Sequence, residues 1–225
     1  MNPTGNIAIF DLDYTLTIKG TWGRFIALTI KNRPHLWLPV VFVMAKHHLL
    51  FKLGKAPRCG VKLAMIRLSI RGWSRTRIET AARSFAENEV EHGLRPGALE
   101  ALRAHRAAGD TLMIASAAAD FIVDPISDLL EIKHYVATRM LWKDDALQAG
   151  FVGENCYGPE KLRQVESYFG QNPGLKQKHT KITIYSDSHS DLDLMLWADV
   201  AVAVDPDRKL SALAKLHNIA VVHWT

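Results

Sequence analysis

A chain of 225 residues holds one α/β domain with a modest insert and can bury a sizeable core without covalent staples. Its two cysteines, Cys59 and Cys156, are too few for a disulfide framework and read as reduced thiols of a cytosolic protein. The net charge of +5 is unevenly placed: Tyr14 to Ile78 contains 13 Lys and Arg and no acid, so the rest of the chain is net acidic.

The opening Met1-Asn2-Pro3-Thr4-Gly5-Asn6 lacks the basic and apolar regions of a signal peptide, so export is not expected. Ile7-Ala8-Ile9-Phe10 reads as a buried parallel strand that stops at Asp11-Leu12-Asp13-Tyr14-Thr15. Open α/β sheets bind ligands at such strand ends. Two acids two residues apart in a poorly solvated site cannot both stay ionised without a cation between them, and a divalent metal meets that need. Taken alone, Asp-x-Asp also fits an ordinary turn or helix cap.

Trp22 to Leu53 mixes strong hydrophobicity with basic residues. Its apolar run Leu36 to Ala45 is short of the roughly 18 to 20 residues a membrane-spanning helix needs. The run fits either a buried core helix of an all-helical subdomain or an interfacial element whose Trp, Phe and Leu enter a headgroup boundary. The missing acids favour the second, because a solvated helix face normally mixes both signs. Helical patterning continues from Gly60 to Glu91, with Ser74 as the N-cap of the second helix, and His92 to Gly97 is a turn cluster.

From Ala98 the pattern alternates. A helix over Ala98 to Ala108 precedes a strand, Thr111 to Ala115, ending at Ser116; a helix over Ile122 to Leu130 precedes a strand at Tyr135 to Thr138. Gly150 to Cys156 resembles a short surface excursion. Pro159 starts a helix that carries Lys161 and runs to about Phe169. Lys181 to Tyr185 is a strand that runs out into Ser186-Asp187-Ser188-His189-Ser190-Asp191, and Val200 to Val204 and Ala220 to Val222 complete the set. Strands alternating with helices predict a mostly parallel sheet with helices on both faces.

Asp11-Leu12-Asp13-Tyr14-Thr15-Leu16, Ser116 after a strand, Gly158-Pro159-Glu160-Lys161 and the Asp187 to Asp191 segment occur in a set order. In that order the chain resembles the haloacid dehalogenase superfamily, and within it subfamily IB, the phosphoserine-phosphatase-like hydrolases. The tail Val204 to Leu210 is similar to that subgroup as well. The resemblance implies a Rossmann-like sheet with an inserted all-helical cap: residues 1–19 and 92–225 as catalytic core, 20–91 as cap.

It also implies roles. Asp11 is the expected nucleophile, forming an aspartyl-phosphate, and Asp13 the general acid and base. Ser116 and Lys161 are expected to hold the substrate phosphate. Asp11, the Asp13 carbonyl and Asp187 are expected to ligate Mg²⁺, with Asp191 acting through water, since hard oxygen donors with retained waters suit that ion. Three positions depart from the family pattern: Tyr14 stands where glycine is common, Ala118 where a small polar residue is frequent, and Asp193 where proline is frequent.

The insert is similar to the corresponding region of the phosphatidylglycerophosphatase C family, on Trp22-Gly23-Arg24-Phe25, the Arg33-Pro34 step and the Trp73 region. That similarity implies an anionic lipid phosphate as substrate and peripheral contact with the inner face of the cytoplasmic membrane; no nucleic-acid partner is expected, since no nucleic-acid-binding motif is present. A soluble phosphomonoesterase of the phosphoserine or histidinol phosphate type would use the same core, its basic cap steering small anions. A non-catalytic reading, with the insert binding lipid or nucleic acid, finds no nucleic-acid-binding motif.

Overall fold

Alternation along β1 (Ile7–Phe10) decides how the molecule is layered. Ile7 and Ile9 enter one apolar cluster, Ala8 and Phe10 another, and all four are buried. A strand apolar on both faces belongs in the middle of a covered sheet. The computed structural model describes residues 5–55, 59–175 and 180–224, with His48 described by its backbone alone. Met1 to Thr4, part of the segment read for a leader, and Arg58 of the basic stretch lie outside the described residues.

After β1 come four helices, α1 (Thr21–Ile30), α2 (Trp37–Lys52), α3 (Cys59–Ser69) and α4 (Arg75–His92). Then follow α5 (Pro96–Ala107), β2 (Thr111–Ala119), α6 (Asp120–Leu129), β3 (His134–Thr138), β4 (Met140–Lys143), β5 (Ala146–Phe151) and α7 (Pro159–Gln171). The chain closes with β6 (Ile182–Ser186), α8 (Leu192–Trp197), β7 (Val200–Val204), α9 (Arg208–Leu216) and β8 (Ala220–Val222). Six strands form one sheet in the order β3-β2-β1-β6-β7-β8, every pair parallel. Residues of α5 and α6 cover the Ala8/Phe10 face, and residues of α7, α8 and α9 cover the Ile7/Ile9 face. The fold is thus the expected Rossmann-like α/β sandwich.

Register sets the site. Phe10 pairs with Ile114 on one side and Tyr185 on the other, so Asp11 leaves the sheet level with the stretches that carry Ser116 and Asp187. Strand order also reverses between β1 and β6, and such a switch point leaves a crevice outside the strand ends.

Helices α1, α3 and α4 share the Ala8/Phe10 core. Phe25 of α1 packs edge-on to Phe85 of α4, with centroids 5.8 Å apart, and against Phe121 of α6 at 5.3 Å. Ser74 caps α4 as expected, accepting from the Arg77 amide.

Two expectations are corrected. β2 does not stop at Ser116: its backbone stays extended through three alanines to Ala119, which pairs with Thr138 after a register shift. Gly150 to Cys156 is only partly a surface excursion, because Gly150 and Phe151 belong to the antiparallel β4–β5 hairpin and Cys156 is buried. That hairpin turns at Asp144 and Asp145, both in the left-handed region (φ 48° and 59°), a turn most often built with Asn-Gly or Asp-Gly. Burial pushes the Cys156 thiol up to about 12.

Leu36 to Ala45 is open, on sequence, between a core helix and an interfacial element. It lies in a helix, but not a core helix: Val40 is 4% exposed, while Leu38 is 83% and Phe42 68% exposed. Val41, Leu49, Phe51 and Leu53 are exposed as well. A helix apolar all round has only one stripe to offer α3. No described helix is long and apolar enough to cross a membrane.

Candidate active site

The strand ends converge on one buried ion cluster. Lys161 reaches it from the first turn of α7, where Gly158, in the left-handed region at φ 61°, and Pro159 start the helix. Its Nζ lies 2.7 Å from Asp11 Oδ1 and 2.7 Å from Asp191 Oδ2. Ser186 Oγ donates to the same Asp191 oxygen at 2.7 Å. Asp187 is held by Thr15, whose hydroxyl accepts from the Asp187 amide at 3.0 Å and faces Asp187 Oδ1 at 3.3 Å. The sheet thus brings together Asp11, Lys161, Asp187 and Asp191 from three separate chain segments.

Asp13 stands apart, fixed to the start of α1. Thr21 donates to its Oδ1 twice, from the amide at 2.8 Å and from the hydroxyl at 2.7 Å. A carboxylate at a helix N-terminus meets free N–H groups and the positive end of the helix dipole. Ser116 is buried, and its Oγ accepts from the Ala118 amide at 3.1 Å. Among the described residues no hydrogen bond joins Ser116 or Asp13 to the Lys161 cluster.

Electrostatics shows the cluster to be short of positive charge. Burial pushes the Asp11 carboxyl up; Lys161 pulls it back, Asp191 and Asp187 push it further, and it settles at about 8. Asp187 rises to about 6, by burial and then by Asp191. Burial alone would depress the Lys161 ammonium, but Asp11 and Asp191 hold it above the usual lysine range. Asp191 Oδ1 is buried with no hydrogen-bond partner. One lysine serves three carboxylates, and a divalent cation with oxygen preference fits what is lacking. Among the described residues no three His, Cys, Asp or Glu side chains form a ready-made metal site. Two side chains, Asp11 and Asp187, with the Asp13 main-chain carbonyl and waters, are a donor set of the kind Mg²⁺ accepts.

Four contributors escaped sequence reasoning. Thr15 and Ser186 flank the acids and orient Asp187 and Asp191; their hydroxyls beside strand-end carboxylates were the available signal. Thr21 opens a helix, where a threonine reads as a routine capping residue. Lys62 of α3 is buried, donating to the Ala117 carbonyl at 2.5 Å and to Asn155 Oδ1 at 3.0 Å, over the rings of Trp22 and Phe151. Among 13 basic residues without an acid, nothing in the sequence distinguished it.

Comparison with known proteins agrees with this geometry. A family model described as haloacid dehalogenase-like hydrolase matches residues 8–196. Protein CicA of Caulobacter vibrioides is 29% identical over 194 residues, 86% of this chain and 83% of that one. A histidinol-phosphatase of Neisseria meningitidis is 25% identical over 153 residues, 68% and 69% of the two chains. Among solved structures, a Bordetella pertussis protein of unknown function superposes with a TM-score of 0.87 at 21% identity, covering 99% of this chain and all of that one. A phosphoserine phosphohydrolase-like protein from Francisella tularensis shares the fold with a TM-score of 0.65 at 19% identity, over 97% and 95% of the two chains. With all but its last strands and helix inside the match, and with the strand-end acids where the fold gathers them, the chain belongs to the haloacid dehalogenase-like hydrolases.

Proposed function

We propose that this hydrolase cleaves phosphomonoesters through an aspartyl-phosphate on Asp11, with residues 20–91 as a cap over a core of 1–19 and 92–225. The observation that carries the reading is Lys161 bridging Asp11 and Asp191 at the crevice end of the sheet. A carboxylate oxygen of Asp11 attacks phosphorus as the ester P–O bond breaks. Asp13 gives its proton to the leaving alcohol, then takes one from the water that cleaves the acyl phosphate, so Asp11 is regenerated and inorganic phosphate leaves. Thr21 keeps the Asp13 carboxyl aimed for both transfers. Lys161 and Ser116 hold phosphoryl oxygens as charge develops on them. Asp11, Asp187 and the Asp13 carbonyl, with Asp191 behind water, would hold Mg²⁺, which would supply charge neutralisation at the phosphoryl group and favour the ionised Asp11 carboxyl.

The favoured substrate is an anionic lipid phosphate such as phosphatidylglycerophosphate, met at the inner face of a cytoplasmic membrane. Support comes from α2, with Leu38, Val41, Phe42 and Phe51 exposed in a stretch that has 13 Lys and Arg and no acid. Basic residues near an anionic surface contribute about 1 kcal/mol each, and apolar side chains enter the headgroup boundary. A second reading, a soluble phosphatase of histidinol phosphate or phosphoserine, draws on the relative named histidinol-phosphatase.

Phosphate release with Mg²⁺ from phosphatidylglycerophosphate in mixed micelles, beside phosphoserine, histidinol phosphate and an aryl phosphate, separates the two. A preference for the lipid that Leu38→Glu and Phe42→Glu weaken supports the first reading. Equal or better turnover of a soluble ester overturns it and leaves the reaction standing.

A further inference from the structure

Tyr14 adopts a conformation that a side chain resists. Between Asp13 and Thr15 its backbone lies in the left-handed region, at φ 65° and ψ −3°. For a residue with a Cβ that disfavours the state by roughly tenfold or more, whereas glycine accepts it freely. Its side chain is half exposed, with the ring close to Gly20.

One described side chain bonds directly to the Tyr14 main chain. Arg95, just before α5, donates from Nε to the Tyr14 carbonyl at 3.0 Å, and its own amide donates to the Leu16 carbonyl at 2.9 Å. The guanidinium is aimed from behind: Nη1 donates to Asp205 Oδ2 at 2.8 Å and approaches the Trp224 carbonyl at 3.5 Å. Asp205 is tied down in turn, accepting from the Trp224 amide at 3.1 Å and from His223 Nδ1 at 2.8 Å. A chain of contacts thus runs from the residues after β8 through Asp205 and Arg95 to the Tyr14–Thr15 peptide, one residue on from Asp13.

We infer that Arg95, oriented by Asp205, is a positioning residue that holds the reaction loop in its left-handed turn and allows tyrosine where glycine would be at ease. Arg95 touches no reacting atom; it acts through the Tyr14 carbonyl. A fork of donors is required, because a lysine ammonium lacks the geometry to serve the carbonyl and Asp205 together. The inference rests on the reading of Asp13 as acid and base, but its structural half does not.

The test is a double-mutant cycle of Arg95→Ala and Tyr14→Gly, with Arg95→Lys and Asp205→Asn alongside. In the Tyr14 background Arg95→Ala lowers kcat about thirtyfold with KM within about twofold, and Arg95→Lys behaves similarly. In the Tyr14→Gly background the same alanine costs at most about threefold, since glycine needs no strut. Should Arg95→Ala fail to fold, Asp205→Asn gives the same relief by glycine on a smaller loss. Equal losses in the two backgrounds, or a lowered melting temperature with unchanged kcat, overturn the proposal. Hydrogen exchange at the Thr17 amide, bonded to the Leu12 carbonyl at 2.9 Å, is read without substrate. It rises in Arg95→Ala, and unchanged exchange overturns the strut. Wild-type protein that cleaves no phosphomonoester would refute the hydrolysis reading and leave this result intact.

Discussion

Lys161 donates to Asp11 across 2.7 Å at a point where both side chains are buried. The two lie 150 residues apart in sequence, and the pairing forms only because β1 and the start of α7 end at the same edge of the sheet. The contact is both a structural liability and a chemical asset, because buried charge is tolerated only when it is paired.

Removing the cation exposes that dependence. Lys161→Met leaves the carboxylates of Asp11 and Asp191 without their shared donor, at a cost of about 3–5 kcal/mol in unfolding free energy without metal. Phosphate release should fall by about a thousandfold. Urea unfolding in chelator and a turnover assay check the two halves, and an unchanged midpoint would contradict the buried-pair account.

The metal-free protein should be least stable on the alkaline side. Asp11 has a folded value of about 8 against an ordinary 3.8, so its contribution is fully present below about pH 4 and is lost as pH rises through 8. Asp187 adds a smaller loss in the same direction, complete near pH 6. Lys161, held up rather than down, keeps its stabilising charge throughout that window. Melting temperatures in chelator should fall from pH 5 to pH 8, and Mg²⁺ should flatten the slope.

Thr21 links α1 to Asp13, the proposed acid and base. Thr21→Val deletes the 2.7 Å hydroxyl bond to Asp13 and leaves the 2.8 Å amide bond. Loss of one of two donors should slow kcat by about tenfold with little change in melting temperature. Asp13→Asn should cost more than a hundredfold, about the share of a general acid.

Substitution also separates the surface of α2 from the core beneath it. Phe25→Ala opens a cavity where Phe85 and Phe121 meet, costing about 3–5 kcal/mol. Leu38→Ser and Phe42→Ser should stay within about 0.5 kcal/mol, as substitutions at exposed positions do. A large loss from either serine variant would place α2 in the core after all.

Most of the layer plan was legible because runs such as Ile7–Phe10 and Val200–Val204 have no amphipathic alternative: apolar on both faces, they can only be central or near-central strands. Asp11, Lys161, Asp187 and Asp191 were legible because each follows such a strand or opens a helix. Local signals failed where tertiary contacts decide. The β4–β5 hairpin turns on Asp144-Asp145, without the glycine that usually marks such a turn. The apolar run of α2 by itself looks the same inside or outside a fold, and the absence of acids around it was the signal that pointed to the surface. Thr21 and Arg95 act through partners 8 and 81 residues away, distances at which spacing says nothing.

Covalent chemistry on Asp11 is read by acid quenching during turnover of an aryl phosphate, followed by mass spectrometry of the Asp11 peptide. A phosphoryl adduct on Asp11, labile to hydroxylamine and absent from inactive Asp11→Asn, is the predicted result. Steady turnover with no adduct on any peptide, or undiminished turnover by Asp11→Asn, would contradict it.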